Sequence, residues 1–363
     1  MGELLVAIVE PQLYIIMYKT TVEKKTLHFM HPAGTSRGVY TERDIWIVTL
    51  RDTSRPWLVG VGECATLPDL SCDAAPDYEK TLCRMCRRLE TTGVIDRQLM
   101  LAYPSMLFGM ETALLNMEKG NDLFGTAFAR GEEGIPINGL VWMGSFDEMN
   151  RRMEEKIAAG FRCVKLKIGA IDFESELNLV RSIRRRFSKE TIELRVDANG
   201  GFTPDEAPAR LDALSRFGIH SIEQPIKQHQ WKEMAQLCAT TPLPIALDEE
   251  LIGVNKPDEK RKLLDSVRPQ YLVLKPSLHG GIEGTAEWVR LARERGMGSW
   301  ITSALESSIG LGAIAQLAAH IYGEGITFAQ GLGTGALYTD NLPATTEIRN
   351  NMIWMKKQHS AGL

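Results

Sequence analysis

The chain has no apolar run close to the ~18 residues that a bilayer-crossing helix needs, so no membrane span is expected. Its opening stretch, MGELLVAIVEPQLY, has no basic region ahead of its apolar residues, which argues against a secretory leader. Neither sign of charge is in excess: 42 Lys and Arg stand against 46 Asp and Glu, a net charge of −4. A general affinity for nucleic acid or for an anionic membrane surface is therefore not indicated. Histidine is scarce, at seven residues, and no His or Cys set has zinc-ligand spacing. The six cysteines (Cys64, Cys72, Cys83, Cys86, Cys163 and Cys238) are scattered, as in a reduced protein. Cys83-x-x-Cys86 lies in YEKTLCRMCRRLE, which reads as an amphipathic helix with no second pair beside it, so the motif is read as structural. These absences leave a cytoplasmic globular chain of 363 residues, 44% apolar and 24% charged, long enough for more than one domain.

Along the chain, two patterns follow one another. Residues 3–65 carry strand-like runs (LYIIMYKTT, TLHFMH, RDIWIVTLR, WLVGVGECA), and residues 76–130 carry helix-like ones (DYEKTLCRMCRRLETTG, SMLFGMETALLNMEKG). Gly93 and Gly120 stand where helix C-caps would. Residues 1–130 thus read as an α+β domain. HPAGTSRGVYTER, residues 31–43, is too polar and irregular for a strand and reads as a loop, and ATLPDLSCDAAPD is a second. From residue 135 to 335, strand and helix patterns alternate: eight strands and seven helices, the last strand being ITFAQGLGT. Thr203 is expected to cap one helix with Pro204 at its first position. A parallel barrel of the TIM type fits this alternation, with its site at the C-terminal ends of the strands. A doubly wound open sheet would want a glycine-rich phosphate loop after its first strand, and MGSFDEM is not one. Residues 336–363 are expected to pack back on the first domain.

Charged residues recur at the ends of the apolar runs between residues 163 and 275. They are Lys165 and Lys167 in CVKLKIGA, Asp197 in ELRVDANGG, Glu223 in HSIEQPI, Asp248 in PIALDEE and Lys275 in YLVLKPS. From Lys167 onward the steps are 30, 26, 25 and 27 residues, about one strand, one helix and two loops each. A charge at a buried strand end is costly without a metal or a counter-charge. Residues two apart on a strand face the same way, so Lys165 points with Lys167 and Arg195 with Asp197. Three adjacent carboxylates, Asp197, Glu223 and Asp248, call for a cation, and an oxygen-only set suits Mg²⁺, with Mn²⁺ as a substitute. Lys167 and Lys275 would stand on opposite sides of it, placed to move a proton next to a carboxylate whose enediolate the metal stabilises.

The motifs K-x-K (Lys165 to Lys167), D-A-N (Asp197 to Asn199), I-E-Q-P (Ile222 to Pro225), L-D-E (Leu247 to Glu249) and L-K-P (Leu274 to Pro276) resemble the enolase superfamily, in its muconate lactonizing enzyme subgroup, over nearly the full chain. The resemblance implies a modified TIM (β/α)7β barrel with an N-terminal α+β capping domain whose loops, about 31–43 and 65–77, set specificity. It implies Lys167 as acid and base, Lys275 as its partner across the substrate, and Asp197, Glu223 and Asp248 as Mg²⁺ ligands. The partner is then a small-molecule carboxylate substrate, and a homo-oligomer stays open. Lys165, Arg195, Asn199, Glu249, Ser303 and Gly331 are expected to contact substrate or support the site. Within the subgroup, R-V-D (Arg195 to Asp197) and T-S-A-L-E-S-S (Thr302 to Ser308) look like the o-succinylbenzoate synthases, which carry out a syn dehydration giving an aromatic ring. The glycines of QGLGTGALY, with close backbone amides, suit an anionic carboxylate and replace the Asp-x-Asp of dipeptide epimerases. N-acylamino acid racemases and muconate cycloisomerases use the same lysine pair and remain alternatives, as does a non-catalytic barrel. No His ends strand seven, against a His-based racemase. Arg37 and Arg43 could bind a carboxylate, although a loop Arg is more often solvated.

Overall fold

The structure, a computed structural model, describes residues 18–35, 38–142, 144–169 and 172–356. The first part is an antiparallel sheet of β1 (Tyr18–Thr35), β2 (Gly38–Asp52) and β3 (Val59–Ala65), in that order. The beginning of the run LYIIMYKTT lies outside the described residues. The described part of 31–43 is strand and not loop: Ala33 to Thr35 pair with Gly38 to Tyr40, continuing the hairpin past a register shift between His28 and Ala33. Val39, Thr41 and Glu42 are exposed there, and backbone pairing needs no apolar face.

Helices α1 (Tyr78–Thr92), α2 (Arg97–Met100) and α3 (Pro104–Lys119) follow. Gly93 ends α1 in the left-handed region, φ 73°, its N–H donating to the Leu89 carbonyl. Cys86 and Leu82 on α1 are buried, and all six cysteines are unpaired, so Cys83-x-x-Cys86 is part of a packed helix. Helix α3 lies against β3 at backbone contact: a Cβ on Gly62 would stand 1.9 Å from the Gly109 carbonyl oxygen. Only glycine permits that approach.

The second part opens on β4 (Ile135–Pro136) and β5 (Gly139–Val141). Then helix and strand alternate: α4 (Phe146–Ala158), β6 (Cys163–Lys167), α5 (Phe173–Arg186), β7 (Glu193–Asp197), α6 (Ala207–Ser215), β8 (Ser221–Glu223), α7 (Trp231–Thr240), β9 (Ile245–Leu247), α8 (Pro257–Val267), β10 (Tyr271–Leu274), α9 (Gly281–Arg293), β11 (Gly298–Ile301) and α10 (Ser308–Tyr322). Strands β5 to β11 form one parallel sheet in sequence order. The expected eighth strand is reduced to two bridges: Gln330 pairs with Ile137, and Gly331 with Thr302. These two residues close the seven-stranded sheet into a barrel. Thr203 heads a turn through Glu206, exchanging hydrogen bonds with it, and α6 starts only at Ala207. The tail divides. Residues 337–340 run along β1, with Met30 N–H donating to the Leu337 carbonyl at 2.7 Å. The hairpin β12 (Thr346–Arg349) and β13 (Met352–Met355) instead pairs with β4, at the start of the barrel.

Two glutamates of the first part are buried against helix N-termini of the second, where unpaired backbone N–H groups and the helix dipole favour negative charge. Glu63, on β3, accepts from the N–H groups of Ser307 (2.9 Å) and Gly310 (2.8 Å) at the start of α10. Glu111, on α3, accepts from Ile282 N–H (2.6 Å) at the start of α9 and pairs with Arg97.

Burial pushes the Glu111 carboxyl up to about 7, against the pull of Arg97 and the Ile282 N–H. A folded-state value above the unfolded one means stability that is complete below pH ~4.5 and is lost as pH rises through ~7. Glu111→Gln should therefore gain on the wild type by on the order of 3 kcal/mol between pH 4.5 and 7.5. Denaturant unfolding of both proteins across that range checks it, and parallel pH curves would contradict it.

Candidate active site

The barrel register brings the charged strand ends together. Lys167, Asp197 and Glu223 are partners across β6, β7 and β8, in one rung at the C-terminal edge. Asp248 follows β9, and Lys275 follows β10. Asp197, Glu223, Asp248 and Glu249 are all nearly inaccessible to solvent.

Three ammonium groups meet these carboxylates. Lys165 Nζ lies 2.9 Å from Asp197 Oδ2 and 2.7 Å from Glu223 Oε2. Lys167 Nζ donates to Asp197 Oδ2 (3.2 Å) and Asn199 Oδ1 (2.6 Å). Lys275 Nζ donates to Asp248 Oδ2. Asn199, at φ 44°, also donates through Nδ2 to Glu249 Oε1 at 2.9 Å. It therefore fixes the Lys167 ammonium from one side while tying it to the next acid.

Burial alone would lower the pKa of Lys165, but Asp197, Glu223 and Asp248 together raise it. Lys275 is likewise raised, Asp248 leading against the cost of burial. Burial would raise Asp197, yet Lys165 and Lys167 hold it well below the usual carboxylate range. Burial and the Asp197 charge push Glu223 up to about 8, and burial with Asp248 pushes Glu249 up to about 7. Four buried carboxylates face three ammonium groups, so one negative charge is in surplus, and the raised acids absorb it by holding a proton.

A divalent cation fits this donor set. All the acidic donors are oxygens, which suits a hard ion. Asp248 Oδ1 and Glu249 Oε2 are buried with no hydrogen-bond partner among the described residues, a costly arrangement that a cation would relieve. As the side chains stand, no three His, Cys, Asp or Glu among the described residues form a closed cage, because the lysines lie on the same carboxylates. A divalent cation would displace that proton and turn the set's surplus of one negative charge into one positive charge, which an anionic substrate would favour.

Above the charges is a cleft with largely apolar walls. The first part contributes Tyr40, Leu67 and Leu70, and the barrel contributes Leu140, Trp142, Trp300 and the segment Ser303 to Leu305. Tyr40 donates to Asp69 at 3.2 Å, joining the hairpin to the second loop. Trp142 lies with its ring centroid 5.9 Å from Lys167 Nζ. Neither Trp142 nor Trp300 was expected from the sequence. Trp142 does sit just past the end of β5, where the strand-end rule places site residues. His279 was also missed. It accepts the Lys275 N–H on Nδ1 at 2.9 Å, and burial keeps it neutral, its pKa lowered to about 3.

Three of the residues expected to contact substrate or support the site have their polar groups engaged in structural contacts. Arg195 does not line the cleft. It is buried one rung lower, paired with Glu193 and packed between the rings of Trp300 (4.5 Å) and Phe328 (4.3 Å). Gly331 lines the cleft, but its N–H donates to the Ile301 carbonyl at 2.9 Å, so that amide serves barrel closure and not a carboxylate. Glycine is required there because a Cβ would meet Thr302 Oγ1 at 2.2 Å. The Ser303 hydroxyl bonds Thr334 and accepts from Leu305 N–H. Arg43 is buried, not solvated, and Arg37 lies outside the described residues.

The enolase C-terminal domain-like family model matches residues 148–357. The chain is 45% identical, over 91% of its length and 97% of the relative's, to an o-succinylbenzoate synthase of Desulfotalea psychrophila. Its fold superposes on the crystal structure of MenC from that organism with a TM-score of 0.81 and 41% identity, covering 93% of this chain and 100% of the other. An L-Ala-D/L-Glu epimerase of Bacillus subtilis superposes with a TM-score of 0.80 over 94% and 96% of the chains, at 20% identity, a likeness of fold alone.

Lys165→Met leaves Asp197 and Glu223 buried with one counter-charge fewer. It should cost about 3 kcal/mol of unfolding free energy in chelator-treated protein, with part of the loss restored by added Mg²⁺. Denaturant curves with and without the ion test this, and wild-type stability under chelation would refute it.

Proposed function

The chain belongs to the enolase superfamily, and on that premise we propose that it is a lyase making o-succinylbenzoate by syn dehydration of 2-succinyl-6-hydroxy-2,4-cyclohexadiene-1-carboxylate, a step of menaquinone biosynthesis. The observation that carries the reading is the opposed lysine pair: Lys167 held at Asp197 and Lys275 held at Asp248, beneath one apolar cleft. The likeness to an o-succinylbenzoate synthase over almost the whole chain supports dehydration as the outcome.

Members of this superfamily use a divalent metal, and Asp197, Glu223 and Asp248 are the residues that would hold it here, as Mg²⁺. When bound, the ion supplies positive charge against the substrate carboxylate. Lys167, acting as its neutral amine, takes the proton from the carbon next to that carboxylate and becomes the ammonium. The hydroxyl to be lost is on the same face, so the same ammonium returns the proton to it and water leaves. Lys275, on the other side, stays charged and stabilises the negative charge that develops. Asn199 orients Lys167, and the cap residues Tyr40, Leu67 and Leu70 keep bulk water from the ring. On this reading the sequence range 1–130 is the cap, and the cleft walls it contributes through Tyr40, Leu67 and Leu70 set which acyl chain fits. An N-acylamino acid racemase would use the same pair as two bases, one on each face.

Purified protein with Mg²⁺ should dehydrate the cyclohexadiene carboxylate, and Lys167→Ala should lower kcat by at least about 10³-fold with an unchanged circular dichroism spectrum. Recovery of N-acyl amino acids labelled at the α-carbon from deuterated water, with no turnover of the diene, would replace this reading with the racemase. Mg²⁺ should also raise the melting temperature of the wild type, and that of Asp248→Asn by less. Equal shifts would remove Asp248 from the ion's ligands.

A further inference from the structure

Arg43, on β2, is 3% exposed. Its guanidinium donates through Nε to the Thr66 carbonyl at 3.2 Å and through Nη1 to the Ala304 carbonyl. Thr66 immediately precedes Leu67, a cleft residue of the cap, and Ala304 is itself a cleft residue of the barrel. One planar side chain thus joins the two walls of the cleft. The barrel wall needs such a hold. Leu305 sits at φ 67°, a left-handed conformation that a branched side chain adopts only against strain. Its carbonyl accepts from the Tyr338 hydroxyl at 2.6 Å, and the Ala304 N–H donates to Glu306 at 2.7 Å. The carbonyls of 304 and 305 are therefore held by side chains from outside the barrel strands.

We propose that Arg43 is a positioning residue that sets the spacing of the cleft's two walls and, through it, the fit of the substrate ring. Two donors in one rigid plane match two carbonyls on different walls, whereas a lysine ammonium offers a single point and no fixed angle. Both carbonyls are neutral acceptors and both belong to the protein, so Nε and Nη1 are committed to the two walls, while Nη2 is buried without a hydrogen-bond partner among the described residues. The inference rests on the dehydration reading for its assay.

The test compares Arg43→Met, Arg43→Lys and Tyr338→Phe with Glu111→Gln, which alters the contact of the cap with α9 at a point that lines no cleft. Arg43→Met should raise KM for the cyclohexadiene carboxylate at least tenfold, with a smaller change in kcat. Arg43→Lys should recover only part of that, and Tyr338→Phe should raise KM a few-fold. Glu111→Gln should keep the wild-type KM. Wild-type KM in Arg43→Met, or an equal rise in Glu111→Gln, would overturn the role. Should Arg43→Met fail to fold, Tyr338→Phe, which loses one oxygen, decides: an unchanged KM overturns it. Absence of turnover by the wild type counts against the dehydration reading, whereas wild-type turnover with unaltered variants counts against Arg43 alone.

Discussion

Carboxylates crowded at one barrel mouth repel each other, and taking them out of water strengthens the repulsion. Asp197, Glu223, Asp248 and Glu249 are buried together all the same. What makes this tolerable is the rung geometry of parallel strands, which sets Lys167 beside Asp197 and lets Lys165 reach up from the rung below to two acids at once. The barrel must hold its register for this to work. A slip of one residue in β6 would turn both lysines outward and leave the acids facing one another. Reactivity and stability are thus tied to the same alignment. The cation that such a set accepts and the ammonium groups that hold it closed compete for the same oxygens.

Much of this was legible in the residues because charge at the end of an apolar run is a rare and costly placement. The five strand-end positions and the cap-plus-barrel order could be read from it. The depth of a residue could not. Period two says that Arg195 and Asp197 point the same way, but they are separated by two strand residues, roughly 6–7 Å. That distance carries Arg195 out of the cleft and into the aromatic layer of Trp300 and Phe328. The eighth strand was over-read for a related reason: two bridges suffice to close the barrel, so ITFAQGLGT needs no regular pairing. The strand pairing of residues 33–35 with 38–40 was under-read because backbone pairing does not require an apolar face. The cleft walls were hardest, since Trp142, Leu67 and Leu70 look like ordinary apolar residues until two distant parts of the chain face each other.

The first part meets the barrel on the side where helices begin, which is also the side of the charges. Glu63 and Glu111 use the same device twice, a side chain of the cap completing the start of α10 and then of α9. Neither helix end supplies all its own partners, so a portion of the barrel's backbone hydrogen bonding belongs to the cap.

That sharing bears on how such a protein can change over time. Its two parts read as separable modules, yet two barrel helices are finished by residues encoded some 170 and 240 positions away. A barrel that exchanged its cap for a foreign one would lose those acceptors along with the cleft wall. New specificity is then more accessible through substitutions within the inherited pair than through reshuffling, because loops at the rim can vary while the two glutamate sockets stay constant.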